Sequence, residues 1–245
     1  MRIILSPAKS MREQPREHLD LPLFLCQTLN LLDILKGMRE DELKRLWKCN
    51  DALTALNYRR IQEMSLTENL TPAIYSYDGI AYQNIGPESV TRKELSYLQE
   101  HLRILSGFYG ILRPMDGVTP YRLEMGSKLQ TNQFRDLYDF WGNRLANSLA
   151  SESDVILNLA SREYSRAVSA HLNAKARFVT VRFAEHIGGK TVEKATLCKM
   201  ARGAMVRWMA ENRIKAVDEI VSFNRLGYHF SPWESQADVL TFIKE

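Results

Sequence analysis

The sequence predicts an α/β fold: one mixed, largely buried sheet surrounded by helices, in a single domain over residues 1–245, with a helix-turn-helix-like αα-hairpin near the N-terminus. Three observations carry this. Runs such as Arg2-Ile3-Ile4-Leu5 and Asp154-Val155-Ile156-Leu157-Asn158-Leu159 are almost continuously apolar, as strands covered on both faces should be. Segments of helical periodicity lie between such runs. No repeat, low-complexity tract or linker divides the chain, and a chain of this length can bury roughly 70–75% of its unfolded surface in one core.

In chain order, Arg2–Leu5 reads as a buried strand that opens at Ser6-Pro7 onto a loop. Lys9 stands just past that strand end, where open α/β sheets meet their ligands. Residues 11–20 are polar. Helical spacing follows from Leu21 to Met64, through Leu25, Leu29, Leu32, Leu35, Leu43, Leu46 and Trp47. Asn50-Asp51 interrupts it, with Asp51 expected to cap a helix carrying Leu53, Leu56 and Ile61. Ala73 to Tyr77 reads as a strand ending at Asp78-Gly79.

Thr91 and Glu94 are spaced as a capping box. They open a helix whose stripe is Leu95, Leu98, Leu102 and Leu105, and Gly107 is expected to stop it with a positive φ. Beyond it, Gly110, Pro114, Asp116-Gly117, Pro120 and Gly126 punctuate a long irregular path rich in apolar and aromatic residues. Such a path must be buried, and its backbone groups then need partners. Arg103, Arg113, Arg122 and Glu124 are placed to supply them, or to line a site.

Phe134, Leu137, Tyr138, Trp141, Leu145 and Leu149 predict one amphipathic helix. After the Asp154–Leu159 strand, Asn158 and Ser161 form a candidate anion- or carbonyl-binding corner, with Ser161 capping a helical turn that contains Tyr164. No glycine-rich loop is present there, which excludes a P-loop or dinucleotide fingerprint. Gly188-Gly189 signals a hairpin between Phe178–Phe183 and Lys190–Leu197. Lys199 to Asn212 is a helix with Lys199 and Arg202 on one face, and Gly203 there permits close approach of backbone, ligand or a packed helix. Ala216–Ser222 reads as helical, and Tyr228–Phe230 with Val239–Ile243 as a terminal hairpin.

Cys26, Cys49 and Cys198 are odd in number and without CxxC spacing, so free thiols are expected; the five histidines lack ligand spacing, and neither a metal nor another cofactor is expected. With no signal-like or membrane-length apolar run, a soluble cytoplasmic monomer is expected. The net charge of +4 is unevenly spread. Residues 36–60 hold seven basic against four acidic groups, 199–215 five against Glu211, and 162–182 five (Arg162, Arg166, Lys175, Arg177, Arg182) against Glu163. A helix pair flanked by Lys44, Arg45, Lys48, Arg59 and Arg60 suits contact with DNA phosphates.

The stretch Ser106-Gly107-Phe108-Tyr109-Gly110-Ile111-Leu112-Arg113-Pro114-Met115-Asp116-Gly117, continuing through Pro120-Tyr121-Arg122-Leu123-Glu124-Met125-Gly126, closely resembles the central signature of the YaaA family of peroxide-stress proteins. Further matches run from end to end: Ile4–Lys9, Asp136–Gly142, Leu157–Ser161 with Glu163-Tyr164, Lys199 with Ala201-Arg202-Gly203, and Phe223-Asn224 with Gly227-Tyr228. The resemblance implies a single-domain α/β architecture with a positively charged cleft. It also implies a protein that binds duplex DNA with little sequence preference and lowers peroxide damage by limiting free intracellular iron. The family's helix-hairpin-helix-like element lacks its Gly-hydrophobic-Gly turn here, and Asp78 stands where relatives often carry a lysine, so that lysine's role does not transfer.

Two function classes are weighed first, with a third behind them: an interaction module whose basic surface meets an acidic protein. One is the DNA-binding stress protein, with duplex DNA as partner and no membrane. The other is an enzyme acting on a nucleotide or nucleic-acid base, or a binder of another small anion. Its support is the polar set Lys9, Arg113, Arg122, Glu124, Asn158, Ser161, Tyr164, Lys199 and Arg202, although no nucleophile–base pair is legible. The reading favours the binder.

Overall fold

The computed structural model describes residues 1–172 and 176–245; Lys175 of the basic run lies outside them. The elements are β1 (Arg2–Leu5), β2 (Ser10–Met11), α1 (Leu25–Lys36), α2 (Glu40–Trp47), α3 (Asp51–Glu63), β3 (Thr71–Pro72), α4 (Ala73–Ser76), β4 (Tyr77–Asp78) and α5 (Ile80–Ile85). Then come α6 (Arg92–His101), β5 (Leu102–Ser106), β6 (Gly110–Leu112), β7 (Gly117–Val118), α7 (Leu137–Trp141), α8 (Arg144–Glu152), β8 (Val155–Asn158) and α9 (Arg162–Ser169). The chain ends with β9 (Arg177–Ile187), β10 (Lys190–Val192), α10 (Ala195–Asn212), β11 (Tyr228–Phe230) and β12 (Val239–Lys244).

The architecture is mixed α/β. The main sheet has the order β11-β12-β9-β8-β1-β5-β6, with β10 pairing β9. Its middle is parallel: Ile3 of β1 lies opposite Leu102 of β5 on one side and Leu157 of β8 on the other. Ile3, Ile4, Leu102, Ile104, Leu105, Ile156 and Leu157 are completely buried, which explains the unbroken apolar runs. At the edges β6, β10 and β11 are antiparallel additions made through hairpins. Gly188 and Gly189 both take positive φ in one of these turns, as expected. The αα-hairpin near the N-terminus is α2–α3.

Six local expectations are corrected. The helix capped by Thr91 and Glu94 forms with its box intact, but it ends at His101. Leu102–Ser106 is a central strand. A short apolar run fits either period, and pairing with β1 across a hundred residues decides for strand. Gly107 has no positive φ; it is glycine because a β-carbon there would lie 2.6 Å from the Leu123 carbonyl oxygen, while Gly110 (φ +76°) makes the turn.

Ala73–Ser76 is one helical turn between two-residue strands, not a strand. The 134–149 helix is two helices, broken at Gly142 with φ +49°. Asn50, not Asp51, caps α3, its Oδ1 accepting from the Leu53 N–H at 3.0 Å. Ser161 occupies the N-cap position of α9 without a side-chain capping bond; its hydroxyl accepts from Ser6 Oγ at 3.2 Å instead.

Candidate functional site

The loops leaving the carboxyl ends of β1 and β8 lie side by side because the two strands are parallel and in register, Ile4 opposite Asn158. They are tied together by the Ser161 N–H, which donates to Ser6 Oγ at 2.8 Å. A cavity of about 360 Å³ opens there, the position where α/β sheets hold ligands. Ser6–Ser10, Asp78–Tyr82, Tyr121–Glu124, the Leu159–Tyr164 corner, Lys199 and Arg202 surround it.

Two close backbone approaches build the walls. Gly203 lets α10 lie against α5, and a β-carbon there would stand 2.0 Å from the Ala81 carbonyl oxygen. Helix packing is thus the reason for this glycine, and it brings Lys199 and Arg202 beside Gly79–Tyr82. Gly107 does the same for the β5–β6 turn, which seats the Tyr121–Glu124 segment over the strand ends.

Of the polar set read from the sequence, Lys9, Arg122, Glu124, Ser161, Tyr164, Lys199 and Arg202 share this cavity. Glu124 joins two of the cations: Lys9 Nζ is 2.8 Å from its Oε2 and Arg122 Nη2 3.3 Å from its Oε1. Arg202 and Lys199 have no carboxylate within ion-pairing distance among the described residues. Among the described residues, the Nε atoms of Arg122 and Arg202 are buried without any hydrogen-bond partner. Burial lowers the Arg202 pKa, opposed by Cys198 and Glu193. Unpaired buried guanidinium nitrogens facing a cavity are costly, and an anion or a ring acceptor relieves that cost.

Arg113 and Asn158 are not part of it. Strand β6 runs antiparallel to β5 and carries the chain back to the amino ends of the parallel strands. Arg113 is delivered there, to a separate groove beside Arg2, Arg92 and Arg103. Asn158 is 4% exposed and spends its amide locally, Oδ1 accepting from the Ala160 N–H at 2.9 Å and Nδ2 donating to Thr180 Oγ1 at 3.3 Å. It staples the strand end.

Sequence reading missed Ser6, Asp78, Tyr82, Tyr121 and Glu163 as neighbours of the cavity. Tyr121 sat inside the central signature, which was the available signal. Tyr82 had none, because α5 is too short for periodicity to mark a face. Asp78 pairs with Arg12 at 2.9 Å, and Glu163 accepts from the Gly126 N–H at 2.8 Å, so both are engaged by protein groups.

On the helical hairpin, Lys44, Arg45, Lys48 and Arg59 are exposed and Arg60 is half-buried, with burial lowering its pKa. Lys44 pairs with Asp51, and Arg45 with Asp41 at 2.8 Å. Lys48 turns the chain between α2 and α3 in the left-handed region, at φ 48°. Among the described residues no cluster of His, Cys, Asp and Glu has the geometry to hold a metal ion, and no helix is long and apolar enough to cross a membrane.

Comparison with known proteins places this sequence in a family. The family described as Peroxide stress protein YaaA matches residues 1–234. A UPF0246 protein of Lachnoclostridium phytofermentans is 49% identical over 247 residues, covering 100% of this chain and 96% of its own. UPF0246 proteins of Pediococcus pentosaceus and Agathobacter rectalis are each 46% identical, covering 100% and 94% of this chain and 98% and 93% of their own. A match of this extent, through every element that frames the cavity, makes the chain a member of the YaaA peroxide stress protein family.

Proposed function

We propose that this protein acts in the cytoplasmic peroxide-stress response by binding duplex DNA with little sequence preference, using cations at the cavity and on the α2–α3 hairpin. The observation that carries the reading is the uncompensated pair Lys199 and Arg202, on one face of α10, with Lys9 and Arg122 sharing a single glutamate opposite. Cations so placed call for an anionic partner. Lys48 and Arg59 add exposed charge, and the Lys44 and Arg45 pairs are solvent-screened surface contacts, readily exchanged for phosphate. The α2–α3 turn spends its Lys48 and Leu53 N–H groups on Lys44 and Asn50, so phosphate contact there falls to side chains. In this reading the limitation of free iron follows indirectly from the DNA-bound protein.

The test is fluorescence anisotropy of a labelled duplex titrated at several salt concentrations. With about four to six phosphates neutralised, log K falls against log salt with a slope of roughly −4 to −5, equally for unrelated sequences. A flat salt response, or strong preference for one sequence, overturns the proposal.

A further inference from the structure

The cavity has an aromatic wall whose hydroxyls are already committed. Tyr82 Oη donates to the Ser6 carbonyl at 3.0 Å. Tyr121 Oη lies 2.8 Å from Tyr77 Oη and 2.6 Å from Ser106 Oγ, and that serine in turn accepts from the Phe108 and Tyr109 N–H groups. The Met125 backbone beside Tyr164 pulls that phenol's pKa down, against the larger effect of burial. Burial pushes all three phenols upward, Tyr121 to about 12, so they stay neutral. Tyr82, Tyr121 and Tyr164 are 2%, 6% and 7% exposed, so they offer a ligand narrow strips of ring, and the hydroxyls of Tyr82 and Tyr121 have little hydrogen-bonding capacity left.

The uncommitted polar atoms are of another kind. Among the described residues the Nε–H groups of Arg122 and Arg202 are donors without acceptors and Lys199 is an unpaired cation, while the Glu124 carboxylate, held in place by Lys9 and Arg122, keeps spare lone pairs as an acceptor. A sugar ring needs many hydroxyl partners, which this wall has spent. A bare phosphate satisfies the cations and leaves the aromatic surface idle. A flat heteroaromatic ring with a phosphate attached uses everything present: apolar contact with the exposed strips of the tyrosine rings, donor and acceptor groups at its edge, and an anion for the cations. The volume, about 360 Å³, falls within the range of small-ligand sites.

We infer that the cavity binds a single nucleotide, its base against the tyrosine wall with its edge read by Arg122 and Glu124, and its phosphate on Lys199 and Arg202. The nucleotide is either free or one extruded from a bound duplex, as proteins that handle a base outside the stack require. The inference deepens the DNA-binding reading above and rests on it only where DNA supplies the nucleotide.

The experiment uses the full chain and a duplex carrying one internal 2-aminopurine and one terminal fluorophore, with anisotropy and 2-aminopurine emission read in the same sample. A parallel melting series compares deoxynucleoside monophosphates with inorganic phosphate. Extrusion appears as several-fold brightening of 2-aminopurine on binding. A free-nucleotide site appears as stabilisation that rises with the logarithm of nucleotide concentration and exceeds that from phosphate. Either signal supports the inference when it is lost in Glu124→Gln and Arg202→Met, and Lys199→Met, at an exposed position, serves where either of those fails to fold.

Anisotropy change without brightening and without nucleotide-specific stabilisation overturns the pocket assignment and leaves the DNA-binding reading standing. Nucleotide-specific stabilisation with flat anisotropy does the reverse. Equal stabilisation by phosphate and nucleotides without brightening, or signals that survive the folded variants, overturns the nucleotide site.

Discussion

Gly203 of α10 and Ala81 of α5 touch backbone to backbone: a β-carbon on Gly203 would stand 2.0 Å from the Ala81 carbonyl oxygen and 2.9 Å from the Asn84 β-carbon. This contact holds Lys199 and Arg202 over the strand ends, so the site's cations depend on a residue that meets no ligand. Gly203→Ala gains about 1 kcal/mol of helix propensity, yet it forces the two helices apart. Overpacking of this kind costs about 1–3 kcal/mol, and contact with rigid backbone places it at the upper end or beyond. The expected net loss of about 2 kcal/mol lowers the melting temperature by roughly 4–8 °C in a chain of this size. An unchanged or raised melting temperature would show that the helices do not pack this closely.

Arg202→Met tests the cost of the unpaired guanidinium. Its Nε is buried without a partner, and the variant replaces it with an apolar chain of similar length. In buffer free of phosphate and nucleotides, Arg202→Met is expected to melt higher than the parent by a few degrees, since a buried donor without an acceptor costs about 1–3 kcal/mol. Lys199 is exposed, so Lys199→Met should leave the empty protein's melting temperature within about a degree. A lower melting temperature for Arg202→Met means that its guanidinium is satisfied in solution.

Arg122 and Glu124 form a part-exposed pair shared with Lys9, at 13% and 25% side-chain exposure. Glu124→Gln keeps the shape and an acceptor oxygen for Arg122 and Lys9, and Lys9 at 65% side-chain exposure is free to turn to water. The expected result is a melting temperature within about 3 °C of the parent, together with lost complementation of a peroxide-sensitive deletion strain. A fall of many degrees would make Glu124 a structural staple of the loop.

Asp116 gives the protein a pH signature. It is 3% exposed, and burial together with Asp20 pushes its pKa up to about 7, against the pull of the Arg113 N–H, which donates to its Oδ2 at 2.8 Å. A carboxyl whose folded pKa lies above its unfolded value binds a proton more tightly in the native state. Its contribution is complete below about pH 4 and is lost as pH rises through about 7. Asp116→Asn keeps an acceptor for Arg113 and removes the charge. The variant should match the parent near pH 4.5 and exceed it near pH 8 by up to a few kcal/mol in urea unfolding. Parallel stability curves across that range would mean that the folded carboxyl titrates normally.

By itself the sequence determined the pieces whose physics is local or periodic. Arg2–Leu5 and Val155–Asn158 announce buried strands because Ile3-Ile4-Leu5 and Val155-Ile156-Leu157 are apolar on both faces, Thr91 and Glu94 specify their capping box, and Gly188-Gly189 the hairpin. The motif spacing also marked Lys9, Arg122, Glu124, Ser161, Tyr164, Lys199 and Arg202, which fall around one cavity. Tertiary structure decided the rest, wherever local preference was degenerate. Leu102–Ser106 satisfies a helical stripe as well as a strand, and only pairing with β1 selects the strand. Arg113 and Arg122 look equivalent along the chain, but the antiparallel return of β6 sends Arg113 to the amino ends of the sheet while the later segment brings Arg122 to the carboxyl ends. Distance along the chain carries no information about the direction in which a strand returns. That direction is settled by which pairing buries the most apolar surface with every backbone group satisfied.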